Sequence, residues 1–302
     1  METTKVFIKA YAKINLCLEI QGRRRDQYHE ICSVVQTISL ADDLVIQAGA
    51  ATGTMLRVQG YPVPSGDDNL VMAALRLVSD RLSVPRDVEI QLNKRIPPGR
   101  GLGGGSSDAA AVLRALGCLR NWRLSREALT AIAAEAGSDV SLFLQGGVML
   151  VSGRGEKVRR LPQASPAYTI ALAWPEVSVP TGAAYGLLEE RDFSDGSRTD
   201  RLWEHLAAGG QPEPELLCNG FERTVFAQWE PVASLHRRMS ELAGVEARLT
   251  GSGSAIFAIT DRAEAVVEQL RAEGYEAVVA QPVEHGQDLS CDAEETCDDC
   301  DK

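Results

Sequence analysis

The sequence predicts an α+β fold in two halves, and three features carry that prediction. Apolar and polar residues alternate in KVFIKAYAKINLCLEIQGRR (5–24), and a second strand-like run follows in HEICSVVQTISLADDLVIQA (29–48); alternation of this kind marks strands. Apolar residues at helical spacing then recur in both halves. Between the halves, LPQASPA (161–167) clusters proline and small polar residues, the composition of a boundary. A chain of 302 residues has room for one large domain or two of ordinary size.

The elements follow in order. The opening run reads as one or two strands. DNLVMAALRLVSDRL (68–82) is a helix, with Asp67 or Asp68 placed to cap its start. VEIQLNKRI (88–96) is a strand, and SSDAAAVLRALGCLR (106–120) is a helix. SREALTAIAAEAG (125–137) is another helix, opened by Ser125 as N-cap and closed by Gly137. GGVMLVSGRGEKVRRL (146–161) resembles a hairpin. In the second half YTIALAWP (168–175) is a strand, and helices are expected near 181–190, 216–230 and 231–243. EARLTGSGSAIFAIT (246–260) reads as strand, glycine turn, strand; RAEAVVEQLRAEG (262–274) is a helix and YEAVVAQPV (275–283) a closing strand.

Composition narrows the function classes. No run of 18 apolar residues occurs, so no membrane span is expected, and METTKVFIKAYAKINL lacks the pattern of a secretion signal, so a cytoplasmic location is expected. Of the seven cysteines, Cys17, Cys32, Cys118 and Cys218 sit in apolar surroundings and are expected as buried thiols, which suits a reducing compartment. The net charge is −11, and residues 286–302, with seven acids and one lysine, carry more than half of it. An acidic body disfavours nonspecific nucleic-acid binding but not a small anionic substrate. The stretch CDAEETCDDC, with His285 upstream, has zinc-ligand spacing at Cys297 and Cys300. The composition favours a dispensable, disordered acidic tail.

The most informative stretch is PPGRGLGGGSSDAA (97–110), with five glycines in residues 99–105. A flexible linker does not fit between a β-branched strand and a helix start. Anion binding does. Glycines let backbone N–H groups converge on a phosphate, and the N-terminus of the following helix adds partial positive charge. There is no lysine for a Walker A loop. GRGLGG (99–104) matches a dinucleotide fingerprint, but LRNWRLSREALTA (119–131) supplies a turn and a helix where that motif needs a strand ending in an acid.

Three motifs in order resemble those of the GHMP kinases: AYAKINLCLEI (10–20), PPGRGLGGGSSDAA, and ARLTGSGSAIFAI (247–259). AKINLCLEIQGRRRDQYHEICSV, GSDVSLFLQGG with SGRGE, and VSVPTGAAY are similar to the branch that phosphorylates 4-diphosphocytidyl-2-C-methyl-D-erythritol, over residues 7 to about 283. The resemblance implies a ribosomal-protein-S5-like N-terminal domain (1–163), a ferredoxin-like C-terminal domain (164–284) and the tail (285–302). It implies ATP and Mg²⁺ as cofactors, a small-molecule partner, no nucleic acid or membrane, and a monomer or homodimer. Gln27 stands where that branch commonly has glycine, Ser141 and Leu142 where it has Pro-Phe, and Gly182 where it has proline.

Site residues follow from the same resemblance. Pro97, Gly99, Gly101, Leu102, Gly103, Gly104, Gly105, Ser106 and Ser107 would hold the ATP phosphates, with Ser106 and Ser107 as Mg²⁺ contacts. Asn69 and Lys94 fall near the adenine, although Asn69 also reads as a helix start and Lys94 as an exposed strand residue. Asp139 would take the proton of the acceptor hydroxyl; its bland alternative is a turn acid. Lys13 would pair with Asp139. Alternation puts Lys13 and Asn15 on one strand face, and Asn15 and Thr181 would touch the substrate. Tyr28 and His29 would recognise cytosine, with Tyr185 closing a sandwich of two rings around it. Gly251, Ser252 and Gly253 would form a turn supporting the phosphate loop. The rival readings are another small-alcohol kinase of the homoserine or mevalonate type, a catalytically silent nucleotide-binding module, and a nucleic-acid binder.

Overall fold

A computed structural model describes residues 5–49, 53–83, 86–120, 125–162 and 167–291. The first half contains strands β1 (Lys5–Arg23), β2 (His29–Ala48), β3 (Met55–Gly60), β4 (Val88–Lys94), β5 (Val148–Gly153) and β6 (Lys157–Arg160). Its helices are α1 (Leu70–Leu82), α2 (Gly104–Arg120), α3 (Arg126–Ala136) and α4 (Val140–Phe143). The second half contains β7 (Ile170–Trp174), β8 (Cys218–Asn219), β9 (Arg248–Leu249), β10 (Ile256–Ile259), β11 (Glu276–Ala280) and β12 (Gln287–Cys291). Its helices are α5 (Thr181–Gly186), α6 (Ser197–Ala207), α7 (Glu222–Gln228), α8 (Glu230–Ala243) and α9 (Ala263–Ala272).

β1 is a single long strand, and with β2 it forms the antiparallel spine of the first sheet. One end of β2 pairs with β4 and the other with β5, so the sheet widens on both sides. The N-terminal part of β1 alternates exposed and buried, then turns buried on both faces from Ala10 to Ile20. That second part lies between α2 on one side and α6 with the second half on the other. Strands covered on both faces lose their alternation. The smaller sheet runs β11-β7-β10-β9, antiparallel throughout. Helices α8 and α9 pack on it, the layering expected of the second domain. Ala109, Ala110 and Ala111 of α2 are fully buried; their small side chains let α2 lie close to the sheet and to α1.

Several expectations change. Asn69, not Asp67 or Asp68, caps α1, its side chain accepting from the Val71 N–H at 2.9 Å. The helix expected over 181–190 stops at Gly186, and the one over 216–230 is β8 followed by α7. Helix α6 and strand β3 lie where no element is expected. The tail does not begin at 285: residues 287–291 pair with Ala10 to Val6 as an edge strand, and Gln287 is buried. Removing residues from 286 onward would therefore strip a strand from the sheet. The assigned boundary at 163/164 and Cys297 and Cys300 lie outside the described residues. Among the described residues no cluster of potential metal ligands occurs, and no helix is long and apolar enough to cross a membrane. Cys17 and Cys218, expected as thiols, stand opposite each other on parallel strands and are joined as a disulfide, because the β1–β8 register brings them together. Cys32 is a buried free thiol.

Candidate active site

The glycine loop lies between β4 and α2, against β1 and the turn between β9 and β10. Gly99, Gly101 and Gly103 have φ of +68°, +77° and +73°, values that glycine adopts without penalty. A Cβ on Gly101 would lie 2.1 Å from the Thr250 carbonyl oxygen, and one on Gly103 would lie 2.6 Å from the Phe143 ring. Backbone bonds fix the same contacts: Lys13 N–H donates to the Leu102 carbonyl at 3.0 Å, and Ala255 N–H to the Arg100 carbonyl at 3.2 Å. The third motif thus supports the loop, as expected. Helix α2 begins at Gly104, two residues before the expected start, so Gly104 and Gly105 belong to its first turn, where N–H groups lack intrahelical partners.

The loop forms one wall of a cavity of about 1140 Å³. That volume exceeds the usual range for a single small ligand. Lys13, Asn15, Tyr28, His29, Lys94, Pro97, Ser106, Asp139, Thr181 and Tyr185 all line it, together with Gly99 to Gly105. Lys13 and Asn15 share a strand face as alternation required, the Lys13 ammonium donating to the Asn15 side-chain oxygen at 2.7 Å. Asn15 also accepts from the Gly251 N–H at 2.9 Å and donates to the Ser33 hydroxyl at 2.8 Å. Its amide is therefore largely engaged inside the protein, tying β1 to the supporting turn. Burial lowers the pKa of Lys13, and the Asp139 charge works against that lowering. Asp139 precedes α4 but makes no side-chain capping bond. It lies in a turn, is half-buried and lines the cavity.

Other expected residues are placed differently. Ser106 lines the cavity, but Ser107 is fully buried with an unpartnered hydroxyl and does not. Asn69 is not among the lining residues: its amide oxygen caps α1 and its NH₂ donates to the Pro64 carbonyl at 2.7 Å. Lys94 is not an exposed strand residue. It is buried, paired with Asp42 and, at 2.9 Å, with Asp108. Burial works against its charge, and the pairing with Asp42 and Asp108 offsets that burial. A Cβ on Gly104 would lie 2.7 Å from its ammonium, so the triad sits directly beneath the first turn of α2.

Asp108 is raised well above the carboxylate range by burial, with the neighbouring Asp42 charge adding to it and Lys94 opposing it. The folded protein then holds a proton that the unfolded chain releases at lower pH, so this group makes stability fall as pH rises above the ordinary carboxylate range. Asp108→Asn keeps an acceptor for Lys94 without the charge. Urea midpoints measured from pH 5 to 8 should show a shallower decline for the variant and no loss of stability at neutral pH.

At the far end of the cavity the aromatic residues meet. The His29 and Tyr185 rings stack at 4.9 Å, and Tyr185 sits edge-on to Phe221 at the same distance. Tyr28 is exposed, with the Arg154 guanidinium 4.8 Å above its ring. His29 thus rests directly on Tyr185 in place of an open slot between two tyrosines. Burial, helped by the Arg23 charge, lowers the pKa of His29, leaving a neutral ring that offers one donor and one acceptor. Burial, with Asp139, pushes the Tyr185 phenol up to about 12. The Thr181 hydroxyl is 3.1 Å from that of Ser252. Sequence reasoning missed Arg154, Phe193 and Phe221; only Arg154 had a signal, the glycines on either side of it.

Gln27 has φ +69°, which explains why a glycine is common there in the branch this chain resembles. Gln27→Gly removes a strain of about 1–2 kcal/mol but adds chain entropy of about 0.5–1 kcal/mol. The variant should therefore unfold at the same or slightly higher temperature in a thermal melt.

A glycine phosphate loop supported by a second glycine turn, with a lysine and an aspartate facing the same cavity, defines a kinase of the GHMP class. The model of the GHMP kinases N terminal domain matches residues 69–148, and that of the GHMP kinases C terminal domain matches residues 210–276. The chain is 36% identical over 264 residues to the 4-diphosphocytidyl-2-C-methyl-D-erythritol kinase of Caldanaerobacter subterraneus subsp. tengcongensis, covering 87% of this chain and 91% of that one. It is 39% identical over 266 residues to that of Solibacter usitatus, covering 86% and 83%. A crystal structure of 4-(cytidine 5'-diphospho)-2C-methyl-D-erythritol kinase superposes with a TM-score of 0.77 at 34% identity, over 91% of this chain and 98% of that one. A homoserine kinase from Cytophaga hutchinsonii shares the fold, with a TM-score of 0.71 at 17% identity, over 95% of this chain and 97% of that one. The chain belongs to the 4-diphosphocytidyl-2-C-methyl-D-erythritol kinase family.

Proposed function

We propose that the chain transfers the γ-phosphoryl group of ATP to the 2-hydroxyl of 4-diphosphocytidyl-2-C-methyl-D-erythritol, a step in the non-mevalonate route to isoprenoid precursors. The observation that carries this reading is one cavity holding both the glycine loop with Asp139 and Lys13 and, at its other end, the aromatic cluster of Tyr28, His29 and Tyr185.

The cradle fits a nucleotide triphosphate. The loop's φ values and the missing Cβ atoms let backbone N–H groups approach phosphate, and α2 adds its N-terminal partial charge. Mg²⁺, when bound, would supply neutralisation of phosphate charge; Ser106, which lines the cavity, would be the hydroxyl to hold it, and the buried Ser107 would not. Asp139 orients the acceptor hydroxyl and takes its proton. Lys13 balances negative charge at the point of transfer, its ammonium fixed by Asn15. Little proton transfer is needed early, because the transition state is loose. Thr181 borders the acceptor end, and the neutral His29 supplies the donor and acceptor that a cytosine edge requires. The setting is cytoplasmic, with small-molecule partners only.

The test is ADP release from ATP and Mg²⁺ with the cytidyl alcohol, beside homoserine and mevalonate. Turnover of the cytidyl alcohol alone supports the reading. Preference for either of the others would retain the kinase and discard the cytosine end.

A further inference from the structure

Arg154 stands at the tip of the β5–β6 hairpin and has no task in the reaction as described. Its backbone is fixed: its N–H donates to the Glu156 carboxylate at 2.6 Å. The bare Gly153, where a Cβ would meet that carboxylate at 2.6 Å, leaves room for it. The next residue, Gly155, borders the reaction end, since a Cβ there would lie 3.7 Å from a carboxylate oxygen of Asp139. The side chain places its guanidinium over the Tyr28 ring. Arg154 therefore spans the stretch of cavity between the acid that takes the hydroxyl proton and the aromatic end.

The other cations along the cavity are engaged. Lys94 is held between Asp42 and Asp108, Lys13 donates to Asn15, and Arg23 donates to Gln27 at 2.6 Å. Arg100 donates to the Glu176 carbonyl through one nitrogen and leaves Nε and Nη1 buried without a partner, but it belongs to the glycine loop at the phosphate end of the cavity. Among the described residues the Arg154 guanidinium forms neither an ion pair nor a hydrogen bond; it lies on the face of Tyr28, with the Asp26 and Glu156 charges acting on it from beyond ion-pair distance. A planar fork of N–H donors matches the geometry of phosphate oxygens. In a molecule with cytosine at one end and the reacting hydroxyl at the other, the middle carries two phosphates.

We propose that Arg154 binds the diphosphate of the cytidyl substrate, its stacking on Tyr28 holding the guanidinium in place beforehand. The proposal rests on the function given above. Its test uses CDP and cytidine as inhibitors competing with the cytidyl alcohol, with the glycine loop filled by saturating ATP and Mg²⁺. Arg154→Gln should weaken CDP by about ten- to a hundredfold, the range for losing a charge-assisted bond, and leave cytidine unchanged. Arg154→Lys should fall between. The KM for the alcohol should rise by more than kcat falls, and the KM for ATP should hold. Equal weakening of CDP and cytidine would mean that Arg154 merely supports the Tyr28 ring, and unchanged CDP would remove the contact altogether; either overturns the proposal. A wild-type chain that does not turn over the cytidyl alcohol overturns the parent reading with it.

Discussion

Asp139→Asn lowers kcat by about two to four orders of magnitude, the usual contribution of a positioned general base, while the KM for ATP changes little. Asp139 makes no cap bond to α4, lines the cavity shared with the glycine loop, and its charge is felt by both Lys13 and Tyr185. Asparagine has the same shape and can still orient a hydroxyl, but it cannot take the proton. Because the side chain is half-exposed and, among the described residues, makes no hydrogen bond or ion pair, the melting temperature should stay at the wild-type value, separating chemistry from folding. Steady-state kinetics at saturating ATP read the effect directly. A kcat within about threefold of wild type would return Asp139 to the status of a turn residue and leave transfer to proceed without a protein base.

What the sequence made legible were features whose cause is local. Glycine at 99, 101 and 103 is required by positive φ and by close backbone approach, and such a dense cluster is visible in the letters alone. The shared face of Lys13 and Asn15 follows from strand period. Long-range pairing was not legible. Lys94 looked like an ordinary strand lysine, because nothing local reveals that Asp42, from the neighbouring strand, and Asp108, from the following helix, converge on it. The Cys17–Cys218 pairing joins positions 201 residues apart. Ser106 and Ser107 read as a pair, yet successive helix positions point about 100° apart, so one faces the cavity and the other the core. The acidic composition after 285 masked β12, where the backbone ladder to β1 and the packing of Leu289 against the core outweigh local charge. Arg154 was hidden in a hairpin tip, since sequence does not say where a long side chain will lie.

Two alanine substitutions in the glycine loop should fail for different reasons. Gly101→Ala introduces a Cβ 2.1 Å from the Thr250 carbonyl oxygen at a φ of +77°. The left-handed strain of about 1–2 kcal/mol adds to about 1–3 kcal/mol for overpacking. The contact is backbone against backbone, so no side chain can swing aside to relieve it. The loop must lift from the turn at 250–253, lowering the urea midpoint and reducing kcat/KM for ATP by two or more orders of magnitude, because a displacement of about 1 Å is enough to cost a hundredfold. Gly105→Ala meets only the Leu70 side chain, at 3.6 Å, with no positive φ. It lies in the first turn of α2, where alanine favours the helix by about 0.5–1 kcal/mol, so the fold should be as stable as wild type or more so. Yet Gly105 lines the cavity, and its added methyl stands where phosphate would approach the helix N-terminus. The KM for ATP should rise by about tenfold or more through the loss of a charged hydrogen bond there. Denaturation and ATP kinetics run on both variants separate the two roles. A Gly105→Ala protein with wild-type ATP affinity would show that the glycines serve only the path of the chain, and that phosphate does not approach the backbone at this turn.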